Sequence, residues 1–161
     1  MRRGSTHMVV TIAAALTLAA CEFSSIVDAN DLRLVAAAEA RWKARPFADY
    51  SYEVRVLCFC PPEITEWTRV TVRGGVVTSA EAVEPDPSFP ISTLRYWVPI
   101  DSLFVDLRLT MTDRALRTYL DAIVVDYDPE LGYPTNIEYR AKTNVLDGGS
   151  QFLLRNVLPV N

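Results

Sequence analysis

The sequence predicts an α+β fold, an antiparallel sheet with helices packed on one face, in the order α-βββ-αα-βββ. Three observations lead to this prediction. Apolar and polar residues alternate over residues 50–58, so that every second side chain faces a core. The connections between neighbouring strands have hairpin length, which makes the strands antiparallel. Helical apolar spacing between the two sets of three strands places helices against the sheet.

The first half of the predicted domain begins with a helix. Asn30 or Asp31 can cap this helix, and Pro46 marks its end. The strand that follows has five side chains on one face: Tyr50, Tyr52, Val54, Val56 and Cys58. Two further strands, 68–73 and 76–83, flank the two-residue turn Gly74-Gly75.

The second half repeats this order after an irregular loop, residues 84–90, whose three prolines cannot continue a ladder. Asp101 caps one predicted helix, and Thr112 or Asp113 caps a second. The last three strands are predicted at residues 122–127, 135–142 and 151–157. The repeated order fits a duplicated α-βββ unit, although the two halves share little sequence.

The N-terminus has the features of a secretory signal. Arg2 and Arg3 precede an apolar run over residues 8–18, which is shorter than the roughly 20 residues that span a membrane. Leu18-Ala19-Ala20-Cys21 resembles the lipobox of bacterial lipoproteins, in which cleavage precedes a lipidated cysteine.

These features divide the chain into a signal peptide at residues 1–20, the lipidated Cys21 with a tether to residue 29, and one domain at 30–161. We expect the lipid on Cys21 to anchor the domain to the bacterial membrane. If the host has two membranes, Glu22 favours the periplasmic face of the outer membrane.

Removal of the signal restricts the chemistry of the mature chain. The only histidine, His7, is lost, which excludes Ser-His-Asp triads, Cys-His nucleophiles and histidine-ligated zinc or haem. Twenty acidic residues remain against fourteen basic ones, so the net charge is about −6. We expect no nucleic-acid partner, because there is no basic tract, and no cofactor.

Four segments occur in one order: DYSYEVRVLCFCPP, RVTVRGGVV, IDSLF and VVDYDPELGYPTNI. Together they resemble a family of uncharacterised bacterial envelope lipoproteins, a domain of unknown function, over about residues 42–157. One departure is Gly74-Gly75, where a polar residue usually precedes the glycine. The resemblance implies a secreted lipoprotein domain and carries no activity.

Cys58 and Cys60 are the most distinctive pair in the predicted domain. In a straight strand their Cα atoms would lie about 6.5–7 Å apart, at the limit for a disulfide, so the backbone must bend at Phe59. In an oxidising compartment the pair can form a disulfide that fastens this bend. Thiol-disulfide exchange, soft-metal binding such as Cu(I), and intermolecular pairing remain as alternatives.

A second group of residues is the candidate binding surface: Tyr96, Trp97, Asp126, Asp128 and Tyr133. At least one of Tyr96 and Trp97 should belong to the core. The alternating acids from Asp126 suggest a calcium loop, but Ile137 stands where a bidentate glutamate belongs. A turn explains the segment better, with Gly132 at a positive φ, and no metal site is expected.

Two functions from different classes follow from the sequence. The first is a lipid-anchored, non-catalytic cell-envelope domain, a binding or structural module whose partner is an envelope protein or glycan. The alternative is a Cys-X-Cys thiol-disulfide oxidoreductase or soft-metal carrier in the envelope. A hydrolase is disfavoured, because no glycine-flanked serine elbow accompanies a base.

Overall fold

The computed structural model describes residues 27, 29–84 and 96–160. The predicted signal peptide, Cys21, most of the tether and residues 85–90 of the predicted loop lie outside this range. Its elements are α1 Ala29–Lys43, β1 Tyr50–Leu57, α2 Pro62–Thr65, β2 Thr68–Arg73, β3 Val76–Ala82, α3 Ile100–Thr112, a 3₁₀ helix Leu116–Tyr119, β4 Leu120–Tyr127, β5 Pro134–Ala141 and β6 Ser150–Pro159. The predicted α+β fold is confirmed.

The six strands form one antiparallel sheet in the order β3-β2-β1-β6-β5-β4. Each half of the chain contributes a three-strand meander, and the two meanders meet where β1 pairs with β6. On β1, Val54 lies opposite Leu154 of β6 on one side and Thr68 of β2 on the other. The order of three strands, helix and three strands is therefore as predicted, while duplication of the unit stays a prediction.

Helices α1 and α3 pack on the same face of the sheet, as predicted, and contact each other. Trp42 at the end of α1 is fully buried, and its ring meets the ring of Tyr50 edge-on at 5.0 Å between centroids. Phe104 of α3 stacks on Tyr127 of β4 at 6.4 Å. Tyr50 is the first residue of β1, so the aromatic core begins where the chain enters the sheet after α1.

The tyrosine-rich strand β1 fixes the start of α3. The Tyr50 hydroxyl accepts a hydrogen bond from the Ile100 amide at 2.9 Å, and the Tyr52 hydroxyl donates to the Val98 carbonyl at 2.5 Å. The prediction that Asp101 caps this helix was wrong, because the helix begins one residue earlier and Pro99 precedes it without a side-chain cap. The Tyr50 hydroxyl of β1 therefore takes the place of a local side-chain cap at the start of α3.

Two other helix predictions were also wrong. The second central helix is a single 3₁₀ turn, Leu116–Tyr119, because Asp113 ends α3 and Leu120 already begins β4. Seven residues, 113–119, separate α3 from β4, and after the turn that ends α3 they leave no room for a longer helix. Helix α1 begins at Ala29, so Asp31 lies within its first turn, where a negative charge is favourable. No helix in the described residues is long and apolar enough to cross a membrane.

Candidate functional site: an arginine and tryptophan cluster

The cysteine pair lies directly after β1, where the chain leaves the sheet. The Cα atoms of Cys58 and Cys60 are 5.2 Å apart, a separation that suits a disulfide. This distance is shorter than a straight strand gives, so the predicted bend at Phe59 is confirmed. The side chain of Phe59 is 86% exposed, while Cys58 packs against the core. The disulfide bond itself stays a prediction.

The other face of the sheet, opposite α1 and α3, is called the open face here. Glu53 of β1 points to it, because its neighbours Tyr52 and Val54 point into the core. Glu53 is nevertheless only 4% exposed, which is unusual for a carboxylate. Side chains from β2 and β6 cover it.

Three side chains bind the two carboxylate oxygens of Glu53. Arg69 of β2 donates to Oε1 at 2.7 Å, and Arg155 of β6 donates through Nε to Oε2 at 2.9 Å. The Asn156 amide donates to Oε2 at 2.9 Å as well. A carboxylate with this many donors is satisfied although it is covered.

A bulge in β6 makes this arrangement possible. The register of β1 with β6 shifts between Ser51 and Glu53, and Asn156 has a φ of 54°. Because the bulge adds a residue opposite β1, consecutive side chains of β6 reach the same carboxylate. Without it, Arg155 and Asn156 would point to opposite faces of the sheet.

The hydrogen bonds determine the charge of Glu53. Burial raises its pKa, but the donors from Arg69, Arg155 and Asn156 outweigh burial, so the pKa lies below its ordinary value. Glu53 is therefore ionised at neutral pH and holds both arginines in fixed positions.

Trp67 completes the cluster. It precedes β2, and the guanidinium carbon of Arg155 lies 3.8 Å from the centroid of its ring. The guanidinium carbon of Arg55 lies 5.7 Å from the same ring. Both distances are within the range of cation–π attraction. The arginine cluster, defined as Glu53, Arg55, Trp67, Arg69 and Arg155, thus joins three strands on the open face.

Arg55 differs from the other two arginines of the cluster. Within the described part of the chain it forms no ion pair, and its Nε is buried with no hydrogen-bond partner. A guanidinium carries five donors and never loses its charge in proteins. The arginine cluster therefore offers donors to an anion, beside two arginines that an internal carboxylate already orients.

The residues predicted to form a binding surface do not lie on one surface. Trp97 and Tyr133 are buried in the core, where Tyr133 packs edge-on to Trp42, whereas Tyr96 is partly exposed. Asp126 lies on the open face and accepts a hydrogen bond from Asn136 at 3.0 Å.

Asp128 has a local structural role. Its carboxylate accepts hydrogen bonds from the amides of Glu130 and Leu131, at 3.0 and 2.7 Å, and Gly132 follows with a φ of 81°. The prediction of a turn in this segment is confirmed. In the described residues no group of three or more His, Cys, Asp or Glu side chains could hold a metal ion.

A small pocket lies between the helices and β4. Asp31, Leu34, Met111 and Tyr127 line it, and the Tyr127 hydroxyl is buried without a hydrogen-bond partner in the described residues. Burial, with a smaller contribution from the Asp31 charge, raises the pKa of Tyr127, so this hydroxyl stays protonated. The pocket presents fewer polar groups than the arginine cluster and is the weaker candidate.

Sequence reasoning missed the arginine cluster. Glu53 and Arg55 alternate with the apolar residues of β1, and the polar side of such a strand is normally solvated. The missing information was the pairing of β1 with β6, which brings Arg155 to Glu53 across 102 positions of the chain. The sequence signal that could have indicated the cluster was the pair Glu53 and Arg55 on a strand, followed by Trp67 directly before the next strand.

Comparison with known proteins gives one result. A model of a family of unknown function, DUF6174, matches residues 34–159. The chain therefore belongs to this family, which confirms the expectation of an uncharacterised domain. No curated protein and no solved structure matches the chain significantly.

Proposed function

We propose that this member of DUF6174 is a lipid-anchored, non-catalytic domain of the bacterial cell envelope that binds an anionic envelope component through the open face of its sheet. The arginine cluster is the observation that carries the proposal. Arg69 and Arg155 bind one carboxylate, Arg155 and Arg55 lie against one indole, and Arg55 forms no hydrogen bond in the described residues. Preorganised charge of this kind serves binding, because its ordering cost is met on folding.

The anchoring part of the proposal rests on the N-terminal sequence. Arg2, Arg3, the apolar run and the small residues before Cys21 stand in the order of a lipoprotein signal. Labelling of cells with a radioactive fatty acid should mark the protein, and Cys21→Ser should abolish the label. An unlabelled, soluble wild-type protein would contradict the anchor.

The binding part is tested without the anchor. A chain that begins at residue 22, without the signal and the lipid, should sediment with isolated cell envelopes, since only the open face then holds it there. Adding Arg55→Gln should leave it in the supernatant. The matched control is Arg140→Gln, which removes another arginine of the open face, one paired with Glu138 through two hydrogen bonds. Sedimentation that does not depend on Arg55 would contradict the proposal.

The alternative is a thiol-disulfide oxidoreductase that uses Cys58 and Cys60. The approach of the two cysteines and the exposure of the loop between them favour this second function. Alkylation of the protein purified without reductant, followed by intact mass, measures their thiol state. A pair that resists alkylation until it is reduced supports the disulfide, and a high reduction potential would favour exchange. Alkylation only after chelation would favour the soft-metal carrier.

A further inference from the structure

We propose that the arginine cluster is a receptor for a phosphate monoester, bound by Arg55 and by the outward-facing donors of Arg69 and Arg155 beside Trp67. This inference rests on the proposed binding function and names the chemical class of its ligand. The phosphate can belong to a soluble or polymeric glycan, or to a lipid headgroup. The chemistry of recognition is the same in each case.

The charge of the cluster matches such a group. Two guanidinium groups bind the carboxylate of Glu53 and a third, that of Arg55, lies near Trp67, so the arginine cluster carries two more positive than negative charges. A phosphate monoester carries about −1.5 to −2 at neutral pH, whereas a carboxylate carries only −1. The acidic residue Glu81 lies opposite Arg69 in register, but the two form no ion pair in the described structure.

The donors of the cluster are available and held in place. Arg155 uses Nε on Glu53, and Arg69 uses one terminal nitrogen, so further N–H groups of both remain. The side chains of Arg69 and Arg155 are 54% and 46% exposed, so a ligand can reach them. Arginine binds phosphate through two parallel hydrogen bonds, which suits several guanidinium groups around one tetrahedral anion.

Trp67 limits the motion of the arginines. The guanidinium of Arg155 lies against its ring at 3.8 Å, which favours a flat orientation, and Arg55 lies near the same ring. The Nε of Arg55 is buried, so a ligand accepts hydrogen bonds from its terminal nitrogens instead. Glu53 acts as a positioning residue, because it holds the arginines and leaves their outer edges uncovered.

The experiment is a titration of the purified chain in detergent, followed by isothermal calorimetry. The probes are glycerol phosphate as a soluble phosphate monoester, acetate as a carboxylate, and mixed micelles of the detergent and phosphatidylcholine with or without phosphatidic acid. Glycerol phosphate should bind more tightly than acetate. Arg55→Gln should weaken the binding about tenfold or more, because charge-assisted hydrogen bonds are lost. Arg140→Gln should bind as the wild type does.

Two outcomes support the inference and identify the source of the phosphate. Binding of glycerol phosphate that depends on Arg55 indicates a soluble or glycan-borne group. Binding only to mixed micelles with phosphatidic acid, again dependent on Arg55, indicates a lipid headgroup. Circular dichroism melts of both variants verify that each is folded.

Other outcomes overturn the inference. Equal binding of acetate and glycerol phosphate would exclude selectivity for phosphate, and unchanged binding by Arg55→Gln would exclude the site. If no probe binds while sedimentation with envelopes still requires Arg55, the ligand is not a phosphate and the proposed function stands. If sedimentation is also independent of Arg55, the proposed function fails with it.

Discussion

The two faces of the sheet are built from the same six strands, yet the side chains on each face have different roles. On β1, Tyr50 and Tyr52 point to the helices and end in hydrogen bonds that hold the start of α3. On the opposite face, Glu53 and Arg55 meet arginine and tryptophan side chains from neighbouring strands. On the covered face these hydroxyls bond to the backbone, whereas the open face brings one carboxylate and several arginines together.

This difference separates the residues that build the domain from those that can bind. The tyrosines of β1, the helix containing Phe104 and the turn at Gly132 build the covered face. The arginine cluster lies on the opposite, open face. Substitutions on the covered face should therefore mainly lower stability, whereas substitutions in the arginine cluster should mainly weaken binding.

The largest loss of stability is expected for Trp42→Ala on the covered face. Trp42 is fully buried and contacts the rings of Phe47, Tyr50 and Tyr133. Its removal should lower the free energy of unfolding in urea by about 3–5 kcal/mol. The matched variant Trp67→Ala should lose only about 1 kcal/mol, since its ring mainly meets guanidinium groups. Equal losses would contradict the separation of the two faces.

Gly132→Ala should cost about 3 kcal/mol. Gly132 has a φ of 81°, and an added Cβ would collide with the Ala38 carbonyl and with Cβ of Arg41 on α1. Gly74→Ala is the control, because its φ of 57° carries the same backbone strain while nothing lies within 4 Å of an added Cβ. It should cost only about 1 kcal/mol in urea unfolding. Equal stabilities of the two variants would show that the turn does not pack tightly against α1.

Glu53→Gln tests how far the open face contributes to stability, because Glu53 holds Arg69 and Arg155 in place. Replacing the carboxylate should lower the free energy of unfolding by about 2 kcal/mol at neutral pH, since hydrogen bonds from two arginines lose their charged acceptor. The pKa of Glu53 in the folded protein lies below its ordinary value of 4.5. Its contribution is therefore present above pH 4.5 and is lost as the pH falls through the lower folded pKa.

The stability difference between wild type and Glu53→Gln should thus shrink on acidification below pH 4.5. Urea unfolding at a series of pH values measures it. A difference that stays constant down to pH 2 would show that the charge of Glu53 is not what holds the arginines.

Joint replacement of Cys58 and Cys60 by serine should have a smaller effect. A disulfide between them would close a very short loop, so its loss should cost only about 1–2 kcal/mol. Addition of a reductant to the wild type should give the same decrease in the urea midpoint. Loss of envelope binding in the folded double variant would show instead that the cysteines take part in function.

Local patterns were sufficient to predict much of the fold. The alternation on β1 and the Gly74-Gly75 turn, with φ values of 57° and 76°, follow from neighbouring residues and are confirmed. The cap of α3 was mispredicted because the Ile100 amide is satisfied by Tyr50, fifty positions earlier. The arginine cluster could not be predicted for the same reason, since the β1–β6 pairing of distant segments brings Arg155 to Glu53.

Arg55→Gln should have the smallest effect on stability, within about 0.5 kcal/mol, since Arg55 forms no ion pair in the described residues. Its urea unfolding midpoint, measured with and without glycerol phosphate, tests the central claim most directly. We expect equal midpoints for wild type and Arg55→Gln without ligand, and a rise on addition of glycerol phosphate for the wild type alone. A lower midpoint of the variant without ligand, or an equal rise in both proteins, would contradict the claim that the open face binds and the covered face builds the fold.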